Sequence, residues 1–228
     1  MDIAKLSNSS VSQAESQVIS KQEVNSNKSY LLAKRCVDIT GALCGIILLL
    51  FLFIIIAIII KIEDPKGPVF FKQKRIGKDG KEFYMYKFRS MVTDAEERLK
   101  DLLKYNEISG AMFKMKEDPR ITKIGKFIRK TSIDELPQLW NVLRGDMSLV
   151  GPRPPLPREV AEYTTHDMQR LLVVPGCTGL WQVSGRNDLN FDQMVELDIQ
   201  YIKKRSFMFD VKIILKTVKV LLGSDNAY

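Results

Sequence analysis

Asp134 and Glu135 are adjacent carboxylates placed just after Ser132 and just before a run in which Ile133, Leu136, Leu139, Trp140 and Leu143 recur at helical spacing. A helix start presents unpaired backbone N–H groups and the positive end of the helix dipole, so a phosphate or an ionised, nucleophilic carboxylate is stabilised there. The plainer alternative is a capping box, S-x-x-E, in which Ser132 and Glu135 serve the backbone and Asp134 only complements the dipole. Pro137 complicates that alternative, because as the fifth helical residue it would lose one backbone hydrogen bond. The helix is then expected to start a residue or two later, with the dyad still at its mouth.

Cations suited to a phosphate surround this pair in sequence. Gly151-Pro152-Arg153-Pro154 holds Arg153 between two φ-locked prolines, which could keep a guanidinium ready for a bidentate phosphate contact, although a rigid surface turn would read the same way. Gly185-Arg186-Asn187-Asp188 follows Trp181-Gln182 in a second glycine-punctuated loop and offers another cation and polar groups, a weak signal when taken alone. Lys87, Arg89, Lys114, Lys116, Arg120 and Arg129 add charge around the middle of the chain, and spacing does not rank them against solvated surface.

Composition narrows the chemistry. The chain has 228 residues, a formal charge of +8 and one histidine, His166. A histidine triad, an HExxH metal site or a His-rich relay is therefore impossible or reduced to one residue, and acid, base or nucleophile work is expected to fall to carboxylates. Cys36, Cys44 and Cys177 have no CxxC spacing, which speaks against a disulfide framework or a zinc knuckle. No Asp-x-Asp pair and no GxxxxGK[ST] loop is present. The positive balance favours anionic partners without choosing among nucleic acid, acidic lipid and phosphorylated substrates.

The elements that must position these groups follow from patterning. Residues 1–33 read as a polar, mobile extension, 34–62 as a membrane helix and 63–228 as the catalytic domain. Residues 39–60 carry no charge, and at about 1.5 Å per residue a helix there is long enough for a bilayer core. A cleavable signal peptide fits poorly, because this run begins late and ends Ile-Ile-Ile-Lys. Residues 69–76 and 81–91 flank Asp79-Gly80 and predict a β-hairpin. Thr93 and Glu96 predict a capping box for a helix bearing Leu99, Leu102 and Leu103, Gly145 a stop for the helix after the dyad, and residues 151–185 ordered loops. Residues 207–222 form an apolar run in which Lys212, Lys216 and Lys219 make one stripe, suited to an anionic membrane surface or to a solvated face.

Four stretches together carry a resemblance: VFFKQKR at 69–75, YKFRSM at 86–91, SIDELPQLWNVLRGDMSLVGPRP at 132–154 and PGCTGLWQVSGRN at 175–187. From about Lys34 to about Leu222 the chain resembles the bacterial sugar transferase family, the monotopic phosphoglycosyl transferases. The resemblance implies an α+β fold in which a re-entrant membrane-embedded helix precedes a small mixed helical and β-hairpin domain with amphipathic interfacial helices. It implies that Asp134 attacks the sugar-bearing phosphate of a UDP-sugar, that UMP leaves, and that polyprenol (undecaprenyl) phosphate takes the phosphosugar. Asp134 and Glu135 would hold Mg²⁺, and Arg129, Arg153, Arg186, Lys87 and Asn187 would bind substrate. MFKMKEDPR at 112–120 resembles members that transfer glucose or galactose phosphate.

One departure concerns the membrane helix, which in many relatives is kinked at a proline. Residues 39–60 contain none, and Thr40, Gly41 and Gly45 are the only candidates for a break. Lys28, Lys34 and Arg35 before the run and Lys61, Lys66, Lys72 and Lys74 after it nevertheless favour both ends on the cytoplasmic side of the inner membrane. The expected partners are a UDP-sugar, polyprenol phosphate and anionic lipids, with a homo-oligomer left open and nucleic acid not expected. The rivals are a membrane-tethered nucleic-acid or acidic-lipid binding module and an inactive scaffold. Steep salt dependence of duplex binding would favour the former, whereas turnover that needs Mg²⁺ and Asp134 would exclude both.

Overall fold

The computed structural model describes residues 19, 24, 27–106, 115, 117–185 and 189–223, with side chains to residue 220. The first long element, α1 (Lys28–Glu63), starts where the Asn27 side chain accepts the N–H groups of Ser29 and Tyr30. It runs unbroken for 36 residues, about 54 Å at the helical rise. Strands β1 (Phe70–Ile76) and β2 (Glu82–Phe88) follow as the expected hairpin, with Phe71 opposite Lys87 and Arg75 opposite Phe83. Asp79 and Gly80 both take left-handed backbone, at φ 55° and 78°. Their turn is wider than a two-residue one, since Gly77 N–H reaches Lys81 O at 2.7 Å.

Helix α2 (Ala95–Leu102) does not form the Thr93–Glu96 capping box: Asp94 takes the cap position without a capping bond and its carboxylate pairs with Arg98 at 2.7 Å. Next come α3 (Lys123–Lys130), capped where Thr122 Oγ1 accepts Gly125 N–H at 3.0 Å, a 3₁₀ turn at Ile133–Glu135, and α4 (Gln138–Arg144). Gly145, at φ 86°, ends α4 as its position predicts. Strand β3 (Ser148–Val150) precedes the region of ordered loops, which contains α5 (Pro157–Val160), β4 (Gly176–Thr178) and 3₁₀ turns at Asp167–Leu172 and Trp181–Val183. Helices α6 (Phe191–Lys204) and α7 (Phe207–Gly223) close the described chain. Strands β3 and β4 pair in parallel, Ser148 opposite Gly176, and a Cβ at Gly176 would fall 2.0 Å from Gly151 N, so only glycine permits this approach.

The mixed helical and strand content agrees with the α+β expectation. Val150, Val195, Ile199, Ile202 and Ile213 form one buried cluster, into which Ile19 and Val24 also pack. At those two positions the N-terminal extension is held by the core, where its polar composition predicts mobility; an isolated apolar side chain can dock without a periodic pattern around it.

The second and third clusters tie α1 to the domain along its length. Ala42 packs with Met85, Val142 and Met147, while Ile56 and Ile60 pack with Phe88 and Ile128. Polar contacts flank these clusters. Arg35 donates to Val142 O at 2.6 Å and Leu143 O at 2.8 Å, satisfying the open carbonyls at the end of α4. Asp38 accepts from Ser148 Oγ at 2.9 Å and Leu149 N at 2.8 Å, and Glu63 accepts the Lys123 N–H at 2.8 Å. Thr40, Gly41 and Gly45 cause no break. The two glycines admit close neighbours instead, because a Cβ there would stand 2.8 Å from Leu149 Cδ1 and 2.9 Å from Leu139 Cδ1. The other face of α1 exposes Leu43, Ile47, Leu48, Phe51, Ile58 and Ile62.

Candidate active site

Ser132 sits in left-handed backbone at φ 56° and makes no capping bond, so the S-x-x-E box does not form. Glu135 turns instead to strand β2, where Lys87 Nζ lies 2.6 Å from Glu135 Oε1. The dyad occupies the 3₁₀ turn before α4, and Pro137 stands at the cap position of α4, where its missing N–H costs nothing. The helix thus starts later, as Pro137 leads one to expect, but at Gln138, further along than the one or two residues expected, with the dyad in the 3₁₀ turn before it.

Asp134 is buried, at 7% exposure. Burial pushes its carboxyl up to about 6, with the Glu135 charge adding to the rise and the Lys87 and Arg129 charges opposing it. It is thus largely ionised at neutral pH, yet poorly solvated. Glu135 remains half-exposed and faces an open cleft of about 280 Å³, which Arg75, Lys87, Gln138, Arg153 and Gln182 also line. Asp134 lies beside that wall and is not part of the lining.

Of the other expected site residues, Arg153 lines the cleft with Nη1 3.5 Å from Glu159 Oε2, a carboxylate fully buried behind it that also accepts Leu156 N–H at 2.8 Å. Arg129, at the end of α3, contributes its charge to Asp134 without lining the cleft. Arg186, Asn187, Lys114 and Lys116 lie outside the described residues. Arg89 and Arg120 serve the scaffold: the first pairs with Asp64, and the second, buried, with Asp118 at 2.6 Å.

Three residues of the site carry no mark in charge spacing. Arg75 is buried in the cleft wall, on the strand face opposite Lys72 and Lys74. Period-two alternation in VFFKQKR separates those two lysines from Arg75, and that is the signal that could have found it. Asn141, fully buried, accepts Tyr86 N–H at 3.0 Å and donates to Tyr84 O at 2.7 Å, so its carboxamide acts as a short strand beside β2 and fixes α4 against it. Gln182 donates to Cys177 O at 3.4 Å, while its Oε1 is buried without a partner.

Asp134 and Glu135 offer hard oxygen donors. Among the described residues no group of three His, Cys, Asp or Glu side chains converges. A Mg²⁺ ion fits such a site when it takes the rest of its shell from phosphate oxygens and water, which is its usual habit.

Residues 29–224 match the family described as bacterial sugar transferase. The chain is 55% identical over 200 residues to the galactosyl transferase CpsE of Streptococcus agalactiae, covering 87% of this chain and 44% of that protein. It is 47% identical over 206 residues to the undecaprenyl-phosphate galactose phosphotransferase of Salmonella typhimurium, 88% of this chain and 43% of that one. The exopolysaccharide production protein ExoY of Rhizobium meliloti is 39% identical over 201 residues, 86% of this chain and 88% of ExoY. The chain thus spans less than half of the first two proteins and most of the third.

Proposed function

The chain belongs to the bacterial sugar transferase family, and from that premise we propose that it transfers a hexose 1-phosphate, galactose or glucose, from a UDP-sugar to undecaprenyl phosphate. The reaction would be the first membrane step of polysaccharide or glycoconjugate synthesis. The observation that carries the reading is Asp134: a buried carboxylate, next to the Lys87–Glu135 pair, at the wall of a cleft lined by Arg75 and Arg153. The names of the galactose-transferring relatives support the sugar class.

In this mechanism an Asp134 carboxylate oxygen attacks the sugar-bearing phosphorus, and the phosphorus–oxygen bond to UMP breaks. Burial favours the attack, because few waters must leave an oxygen that is already poorly solvated. Lys87, Arg129 and Arg153 supply positive charge for the phosphate oxygens. A phosphate oxygen of the polyprenol carrier then attacks the same phosphorus, and the acyl phosphate bond breaks, returning the Asp134 carboxylate. Mg²⁺, held by Asp134 and Glu135, would supply further charge neutralisation at the diphosphate.

The same reading places the domain on the cytoplasmic face of the inner membrane with both ends of α1 on that face, the helix lying unbroken along the domain. Lys34 and Arg35, which precede the apolar run, bond to the domain through Asp210 and the carbonyls of α4, while Glu63 at the far end bonds to the start of α3. A helix attached at both ends to one polar domain cannot leave those ends on opposite sides of a bilayer without drawing the domain into it. On α7, Lys212, Lys216 and Lys219 are exposed beside Met208, Leu215 and Val218, a surface suited to anionic lipid.

The test is to incubate the purified chain in lipid nanodiscs with Mg²⁺ and UDP-galactose or UDP-glucose, without carrier. UMP release together with a phosphosugar adduct on Asp134 by mass spectrometry is the expected result. Strictly carrier-dependent UMP release with no adduct would replace the covalent route by direct displacement, and no release with any UDP-hexose would reject the reading.

A further inference from the structure

The hairpin sets Arg75 and Lys87 on one face, Lys87 opposite Phe71 and Arg75 four residues along the same strand, about 13 Å away. Arg75 is 5% exposed and lines the cleft. Its Nη1 donates to Pro154 O at 2.9 Å and its Nη2 to Gln73 Oε1 at 2.6 Å, both neutral acceptors. Its Nε is buried with no partner. No carboxylate forms an ion pair with it among the described residues; Glu159 and Glu135 act on it only through space, while Arg153 opposes its charge. Burial above all, with Arg153 beside it, pushes the guanidinium down to about 9, so it stays cationic at neutral pH.

A buried cation facing a like charge and bonded only to neutral groups is costly, and the cost is offset when an anion arrives. Gln182 Oε1, buried and unbonded on another residue of the same wall, marks the cleft as equally unfinished. We propose that Arg75 is the buried cation of a phosphate-binding pocket in this cleft. The ligand is a phosphate group, from the diphosphate of the sugar donor or from the lipid carrier, and only the choice between these sources rests on the transfer reaction proposed above.

The experiment uses the full chain in nanodiscs and inorganic pyrophosphate as the probe. Arg75→Gln keeps an N–H for Pro154 and removes the charge, while Arg75→Lys keeps the charge and loses the fork. Titration calorimetry should show pyrophosphate binding at least tenfold weaker in Arg75→Gln and less weakened in Arg75→Lys, with the ligand-free Arg75→Gln chain melting no lower than wild type. In the wild-type chain the Arg75 Nε–H resonance should shift as pyrophosphate saturates, a measurement that stands even if the glutamine variant fails to fold. A raised donor KM assigns the pocket to the sugar donor, and a raised carrier KM assigns it to the lipid phosphate. An unshifted Nε–H resonance, or wild-type pyrophosphate affinity in a folded Arg75→Gln chain, overturns the proposal. If the wild type releases no UMP, the transfer reading fails on its own, and the pyrophosphate titration still decides the pocket.

Discussion

Lys87 Nζ stands 2.6 Å from Glu135 Oε1, a charge-assisted hydrogen bond that joins β2 to the turn bearing Asp134. The pair lies on the cleft wall, and both of its charges act on the buried Asp134 carboxyl with opposite sign. Pairing and the tuning of the Asp134 carboxyl are therefore one arrangement.

Asp134→Asn abolishes UMP release, since the amide is no nucleophile. Its stability consequence has a definite sign. With the folded carboxyl near 6 against an ordinary value of 3.8, the folded chain holds the proton that the unfolded chain releases, so this group makes stability fall as pH rises through that window. The cost at pH 7 is on the order of 3 kcal/mol. The substituted carboxamide mimics the protonated acid, so the melting temperature of the variant should exceed that of wild type at pH 7 and match it near pH 3. A variant less stable than wild type at pH 7 contradicts the buried, raised carboxyl.

The acid limb of single-turnover UMP release follows ionisation of Asp134 and has its midpoint near 6 in the wild type. Lys87→Met removes a charge that lowers the Asp134 pKa, and the limb moves to higher pH. Glu135→Gln removes a charge that raises it, and the limb moves to lower pH. Shifts in the same direction for both variants would separate the pH profile from Asp134.

Asn141→Leu strips both side-chain bonds from β2 and leaves Tyr86 N–H and Tyr84 O without those partners. Chemical denaturation should show a loss of roughly 2–4 kcal/mol. Because α4 then moves against β2, kcat should fall at least tenfold. A crystal structure of the variant should show Lys87 and Glu135, 2.6 Å apart in the wild type, drawn out of hydrogen-bond range. Unchanged kcat in a folded Asn141→Leu chain would make this carboxamide purely structural.

The orientation of α1 is tested with a single cysteine at Lys28, after Cys36, Cys44 and Cys177 are replaced. Protection from a membrane-impermeant thiol reagent in intact cells, and labelling after lysis, is the expected outcome for a helix with both ends on the cytoplasmic side. Labelling of intact cells would establish a crossing helix.

Local chemistry made several features legible without a fold. The uncharged run, the Asp79-Gly80 hairpin, the Gly145 helix stop and the later helix start forced by Pro137 each depend on a few neighbouring residues, and each is present. The four stretches that include the motif around Asp134 and Glu135 likewise marked the family together. The capping box at Ser132 failed because Lys87, 48 residues away, engages its carboxylate Glu135, and the one at Thr93 because the cap position fell to Asp94, whose carboxylate pairs with Arg98. Asn141 was silent for a related reason, and Arg75 showed only as the inward position of an alternating strand. A guanidinium becomes a site only when burial removes its solvent and its neighbours leave it unpaired, and a carboxamide substitutes for a strand only when a helix is laid beside that strand. The run of α1 along the domain was also invisible, because a 22-residue apolar stretch does not encode whether Gly41 and Gly45 will break the helix or admit Leu149 and Leu139. Sequence determined what the residues are able to do; contacts between distant segments, through burial and competition for partners, decided which of them do it.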